Sequence, residues 1–366
     1  MVKRHRIKLH SKAWHEFRKN GIGASEASSV LAMDSKVLAD LVYTPPIKLH
    51  LQKIGEPVQE FTGNQASEAG RFQEKNIVQL LRHHDFENPD GTETYRRANR
   101  KEAPLRKVIQ PNCYFTNSKY PQLFASPDGL VYPDYNSPTF TKGAKPRAGS
   151  EAKLTNSFEA NKYKNRVSPS FVIQCYQNMM VVELDTWHLA ILIDGIFFEV
   201  ISLKADQEIF DQINYSTTKF WMNVIKARDI KEGAGLLAYY NANPTALTEM
   251  QLAVVEDLSA LEPDLTGSDR ELEFIKEMMI PTPEETTMIG TEEQRGLCIN
   301  YLKAGEAIKA IESEKTLYTS ELIKSLQGTH VAKFDDGKEG YFSYKPNKNG
   351  KASIYVSPKC LNPEPL

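Results

Sequence analysis

The sequence predicts an α/β protein: a central mixed sheet flanked by helices, with a C-terminal helical and small β extension. Three observations carry this. Two segments place β-rich apolar runs on either side of tight turns, "QLFASPDGLVYPDY" and "WHLAILIDGIFFEVIS". Around them lie segments with helical patterning, "GRFQEKNIVQLLRHH" and "SPSFVIQCYQNMMVVE". Strand and helix signals interleave along the chain, the pattern of a sheet covered by helices.

In chain order, a basic arm, "MVKRHRIKLHSKAW", comes first. "SEASSVLAM" predicts a short helix starting near Ser25, whose hydroxyl suits an N-cap. In "GRFQEKNIVQLLRHH" the stripe Ile77, Val78 and Leu81 predicts an amphipathic helix, and Glu74 falls on that stripe. A carboxylate aimed at a core needs a cation or a metal; otherwise it curls toward solvent. Asp128 lies at a Pro-Asp-Gly bend between two apolar strands, read as a hairpin, where Pro127 fixes φ and Gly129 accepts positive φ. Residues 134–149 are polar and rich in Pro, Gly and Lys, hence a loop. "SEAKL" follows as a strand, with Glu151 and Lys153 two apart and on the same side.

"SPSFVIQCYQNMMVVE" predicts a buried helix with one polar stripe, Gln174, Gln177 and Asn178, which fits a solvent face as well as a functional one. Asp194-Gly195 marks a hairpin turn, and a long amphipathic helix spans about 205–228. Residues 242–283 alternate short helical patterns with Pro and Gly breaks. A long helix carrying Leu302, Ile308, Ile311, Leu322 and Leu326 then runs to a stop at Gly328. Three short strands with turns at Asp336-Gly337 and Asn349-Gly350 close the chain. The expected organisation is a domain over 1–235, a helical linker region over 236–290, and a helix with a small meander over 291–366.

Composition narrows the function classes. The 45 Lys and Arg residues nearly balance 47 Asp and Glu, which excludes a uniformly basic nucleic-acid binder but leaves room for a local basic groove. Arg96, Arg97, Arg100, Lys101, Arg106 and Lys107 form one such cluster, read equally as a solvated loop or a DNA-backbone contact. His83 and His84 read as surface helix residues. The four cysteines (Cys113, Cys175, Cys298, Cys360) form no CxxC pair, against a zinc ribbon or clustered iron–sulfur site. No apolar run suits a bilayer, and the N-terminus lacks the apolar core of a signal peptide. The expected setting is cytoplasmic, with reduced thiols and no membrane.

Taken singly, Glu151 and Lys153 make an ordinary ion pair worth about 0–1 kcal/mol if exposed, and Asp128 an ordinary turn residue. Together, the predicted order of elements lets Asp128, Glu151, Lys153 and a helix Glu converge at one edge of the sheet. Three carboxylates offer hard oxygen ligands suited to Mg²⁺. Such ions activate water and neutralise charge developing on a phosphodiester. A neighbouring lysine orients or deprotonates that water, or stabilises the transition state.

These residues carry a resemblance. "SPDG" followed by "EAK" resembles the signature of the PD-(D/E)xK nuclease superfamily, with Asp128, Glu151 and Lys153 in its three positions. "AWHEFRKNGIGASEA", "GRFQE" and "VIQCYQNMMV" resemble, in the right order, further motifs of the lambda-exonuclease and YqaJ-type viral recombinase family. The resemblance covers roughly residues 10–230. It implies a restriction-endonuclease-like core in which Asp128 and Glu151 ligate Mg²⁺ (Mn²⁺ substituting) and Glu74 completes the metal site. It also implies that Lys153 and Gln174 act on the water or substrate, and that Arg18 and Ser25 contact a DNA phosphate. The implied activity is 5′→3′ exonuclease digestion of linear double-stranded DNA, giving single-stranded tails for phage-type recombination. Its implied partners are DNA ends, a single-strand annealing protein and further copies of the chain in a ring, a trimer by analogy. Were the protein phage-encoded, its setting would be the host cytoplasm. The alternatives are a structure- or sequence-selective endonuclease of the same fold, and a non-catalytic DNA-binding scaffold.

Overall fold

The computed structural model describes residues 1–7, 11–58, 64–85, 94–95, 104–133, 144–163, 167–239, 247–278, 291–326, 331–333, 341–346 and 352–356. The chain divides into two compact units, Met1–Pro281 and Thr282–Leu366.

The larger unit begins with β1 (Val2–His5), α1 (Lys12–Lys19), β2 (Ile22–Gly23), α2 (Ala27–Leu31), α3 (Pro46–Lys53) and α4 (Gln65–His83). Strands β3 (Lys107–Ile109), β4 (Tyr114–Asn117), β5 (Tyr120–Ala125), β6 (Gly129–Tyr132) and β7 (Ala148–Thr155) follow. Then come α5 (Pro169–Val182), β8 (Thr186–Ile193), β9 (Phe197–Lys204) and α6 (Gln207–Gly233). Five strands form one sheet in the order β9-β8-β7-β6-β3, and four form another in the order β1-β4-β5-β2. In the five-stranded sheet the β7–β8 pair is parallel and its other pairs are antiparallel. The fold is therefore mixed α/β, as the interleaved pattern predicts.

Alternation along the strands decides which helix covers which face. Val131, Ala148, Ala190 and Leu192 meet Ile77, Val78 and Leu81 of α4. On the opposite face, Leu130, Trp187, Leu189 and Ile191 share a core with Cys175 and Met179 of α5. Glu151 and Lys153 alternate with Ala152 and Leu154, which pack toward α4, so the charged pair faces α5. The fully buried Trp187 pairs with Gly149 across the parallel ladder. A Cβ at 149 would stand 2.1 Å from the Trp187 ring, so glycine is what lets the ring lie on β7.

Two local expectations are corrected. The Ser-Pro-Asp segment does not join a hairpin: β5 and β6 belong to different sheets, and residues 126–128 carry the chain between them. Ser25 is not an N-cap; it sits exposed inside a 3₁₀ turn, Ala24–Glu26, that precedes α2. That turn is closed by Glu26, whose Oε2 accepts from the Gly23 N–H at 2.8 Å.

Within residues 236–290, α7 (Glu249–Ser259) and α8 (Asp269–Met278) bury Leu258 and Phe274 in the larger unit's core. The smaller unit holds α9 (Glu292–Ser325) and an antiparallel sheet of β10 (Val331–Lys333), β11 (Tyr341–Pro346) and β12 (Ala352–Val356). A capping box between Thr291 and Gln294 opens α9, and Leu302, Ile308 and Ile311 on it are exposed. The loop residues 134–143, Arg96, Arg97, Arg100, Lys101, Cys360 and the turns at 336–337 and 349–350 lie outside the described residues.

Candidate active site

The site forms where β6 begins and β7 runs past it. Gly129 pairs with Ser150, so the Ala152 N–H lies beyond the end of the β6 ladder. Asp128 Oδ2 accepts that N–H at 2.8 Å, which fixes the carboxylate against the middle of β7. Glu151 and Lys153 emerge there toward α5, their charged atoms 2.9 Å apart. The Glu151 side chain is 3 % exposed and that of Lys153 is 21 %, so this is not the solvated pair that either residue alone would suggest.

Helix α5 completes the arrangement. Gln174 donates from Nε2 to Glu151 Oε1 at 2.5 Å and accepts from Lys153 Nζ at 2.9 Å. One amide therefore bridges the carboxylate and the ammonium. One turn on, Asn178 Nδ2 donates to Glu151 Oε2 at 3.2 Å, so both carboxylate oxygens are held. Buried Gln177 instead donates to the backbone carbonyls of Ile22 and Phe124, tying β2 to β5. The polar stripe of α5 thus faces inward, with Gln177 and Asn178 fully buried, and does not form a solvent face. Phe171, on the first turn of α5, lies 5.1 Å from Lys153 Nζ and supplies an apolar wall.

Glu74, on α4, is half-buried and accepts from Gln110 Nε2 at 2.8 Å. Burial raises its carboxyl, and the negative charge of Glu151 raises it further. Asp128 is pushed well above the ordinary carboxylate range, first by burial and then by Glu151 and Glu74. Burial works against the charge of Lys153, but Glu151 and Asp128 outweigh it and hold the ammonium above its ordinary value. The site therefore concentrates three mutually repelling carboxylates around one protonated lysine.

Among the described residues, no group of three or more His, Cys, Asp or Glu side chains is arranged to hold a metal ion. The expected set of Glu74, Asp128 and Glu151 is thus not preassembled; Gln110, the Ala152 N–H and the α5 amides hold each carboxylate separately. The donor chemistry still fits Mg²⁺, which commonly takes one or two carboxylates and fills its shell with water and substrate phosphate. Asp128 and Glu151 supply those two. Beside Glu151, the buried Asn178 Oδ1 lacks a donor among the described residues.

Arg18 and Ser25 belong to a second group. The Arg18 guanidinium is 2.6 Å from Glu26 Oε1 and lies against the Trp14 and Phe124 rings. Buried Lys53 donates to Glu26 Oε2 at 2.8 Å and to the Arg18 carbonyl at 2.7 Å. Burial alone would raise the Glu26 carboxyl, but Lys53 and Arg18 outweigh it and bring it down to about 2. Neither Glu26 nor Lys53 stands out in the sequence. Their one legible sign is Glu26 beside Ser25; that Lys53 reaches it across 27 residues depends on how α3 folds back.

Comparison with known proteins shows what these residues resemble. Residues 13–185 match the YqaJ-like viral recombinase domain, a span that includes Arg18, Ser25, Glu74, Asp128, Glu151, Lys153 and Gln174. No curated protein sequence matches the chain. The chain is similar to the crystal structure of LHK-Exo in complex with dAMP, with 14 % identity and a TM-score of 0.44 over 62 % of this chain and 98 % of that one. A second crystal structure, of the alkaline exonuclease LHK-Exo from Laribacter hongkongensis, gives 16 % identity and a TM-score of 0.39 with the same coverage. The family match and the ordered motifs fall on the same stretch: residues 13–185 match the YqaJ-like viral recombinase domain.

Proposed function

We propose that the chain is a Mg²⁺-dependent exonuclease that degrades linear duplex DNA from 5′ ends and leaves single-stranded tails for annealing. The observation that carries this reading is the bridge from Lys153 through Gln174 to Glu151, beside Asp128 at the open end of β6. A structural ion pair has no need of a second amide, nor of two further carboxylates whose repulsion works against folding.

In this reading Asp128 and Glu151 hold the ion, and Glu74 assists through the hydrogen-bonded shell around it. Bound there, Mg²⁺ supplies Lewis-acid activation of water and neutralises charge developing on the phosphodiester. Lys153 enters as an ammonium, since its neighbours favour the charged form. It orients the attacking water and faces the developing negative charge. Gln174 fixes the Lys153 Nζ and Glu151 Oε1 atoms at once, which sets their geometry before substrate arrives. Arg18 and the exposed Ser25 receive the terminal phosphate. By family likeness the active form is a ring of copies, a trimer, that passes the product strand to an annealing protein. Among the described residues, no helix is long and apolar enough to cross a membrane.

The test is digestion of linear duplex DNA, labelled at either end, beside a covalently closed circle in the same reaction. The reading expects loss of the linear DNA alone, beginning at the 5′ end. Cutting of the circle would replace it with an endonuclease.

A further inference from the structure

The cluster around Arg18 is more elaborate than a phosphate contact requires. Two cations, Arg18 and Lys53, share the single carboxylate of Glu26, and a third, Arg228, lies close enough to Lys53 to act on its charge. Glu26 is saturated: Oε1 takes the Arg18 guanidinium, while Oε2 takes Lys53 Nζ and the Gly23 N–H. Lys53 grips Arg18 a second time, at its backbone carbonyl. Arg228, on α6, donates to the carbonyls of Lys53 and Lys19, the last residues of α3 and α1. The helix that carries Arg18 and the helix that carries Lys53 are thereby stapled at their C-terminal ends.

The same carboxylate controls Ser25. By accepting the Gly23 N–H, Glu26 closes the 3₁₀ turn in which Ser25 is displayed to solvent. Arg18 keeps the capacity to bind more. A guanidinium has five N–H donors, and its side-chain partners among the described residues are Glu26 and Tyr114. Its side chain is 27 % exposed, so the residue is not sealed off from solvent.

We infer that Glu26 and Lys53 are positioning residues that set Arg18 and Ser25 in register for the phosphate at a DNA 5′ end. This rests on the phosphate reading of Arg18 and Ser25, and it adds which residues make that reading specific. An arginine on a surface helix samples many rotamers; one clamped at both guanidinium and carbonyl presents one fork.

The experiment compares kcat/KM on duplex DNA with 5′-phosphate and 5′-hydroxyl ends for the wild type, Arg18→Ala, Glu26→Gln, Lys53→Met and the Arg18→Ala/Glu26→Gln pair. The quantity read is the ratio between the two ends. A hydrogen bond to a charged group lost from the clamp is expected to cut the phosphate preference on the order of tenfold, carried by KM. Glu26→Asp, which keeps the charge, is expected to recover part of the preference. The double variant is expected to show the ratio of Arg18→Ala alone, because Glu26 acts through Arg18. Thermal melts of each variant accompany the kinetics, and Lys53→Met provides a second route if Glu26→Gln does not fold. If Arg18→Ala erases the preference while Glu26→Gln and Lys53→Met retain the wild-type ratio, the clamp is structural and the inference is overturned. If the wild type shows no preference, or Arg18→Ala keeps it, the phosphate reading itself fails and takes the inference with it.

Discussion

Replacing Gln174 with leucine tests whether the α5 amide organises the site or merely fills space. Leucine is close to glutamine in volume and keeps the apolar stem, so α5 still packs on the sheet. What disappears is the donor to Glu151 Oε1 at 2.5 Å and the acceptor for Lys153 Nζ at 2.9 Å. The direct Lys153–Glu151 approach, also 2.9 Å, and the Asn178 bond to Glu151 Oε2 survive. Lys153 and Glu151 therefore remain paired but lose the part that fixes their orientation. A hydrogen bond to a charged group contributes about 1.5–3 kcal/mol, equivalent to roughly 10- to 150-fold in rate. If the orientation matters in the transition state, the loss falls on kcat with KM nearly unchanged. The assay is steady-state digestion of linear duplex DNA, with a thermal melt of each protein alongside. A variant that folds like the wild type and keeps kcat within twofold would refute the organising role. A loss of rate that tracks a collapse in Tm would refute it too, by assigning Gln174 to stability alone.

Two further predictions follow from packing and from burial. Gly149→Ala would force a methyl to 2.1 Å from the fully buried Trp187 ring; overpacking of this kind costs about 1–3 kcal/mol or more and should lower Tm by several degrees in a thermal melt, whereas an unchanged Tm would mean the ring has room to move. His50 is fully buried against Phe220, with neither ring nitrogen hydrogen-bonded among the described residues, and burial lowers its pKa from 6.5 to about 4. Between those values the unfolded chain binds a proton that the folded chain refuses, so stability rises with pH through this window and is lost as pH falls. At roughly 1.4 kcal/mol per pH unit, the interval amounts to about 3 kcal/mol. Urea unfolding from pH 7 to pH 4 should show that slope, and His50→Leu should remove it; an unaltered slope would assign the acid sensitivity to other groups.

The order of strands and helices was legible because apolar spacing reports burial directly. Ile77, Val78 and Leu81 do face the sheet, and "SEAKL" is the middle of β7. What one sequence could not carry was partnership between distant segments. "SPDG" reads as a hairpin turn from its residue types alone, but which sheet each flanking strand joins is decided by pairing with β4 and β7. The stripe of Gln174, Gln177 and Asn178 was visible, but its direction depends on what stands opposite. Glu151 supplies that partner for Gln174 and Asn178, and the carbonyls of Ile22 and Phe124 supply it for Gln177. Ser25 looked like a cap because serine often is one; α2 instead follows Glu26 without a side-chain cap, and the Glu26 carboxylate turns back to the Gly23 N–H. Lys53 gave no local sign, since a lysine at a helix end is ordinarily solvated.

The most direct test of a metal-dependent nuclease centre at Asp128 is digestion of linear duplex DNA by the wild type and by Asp128→Asn, with Mg²⁺ or with EDTA. Asparagine still offers an oxygen to the Ala152 N–H, and it removes the repulsion among Asp128, Glu151 and Glu74. The account predicts that the variant melts no lower than the wild type yet leaves the DNA intact, and that EDTA silences the wild type. Full activity of Asp128→Asn with Mg²⁺, or undiminished digestion by the wild type in EDTA, would contradict it.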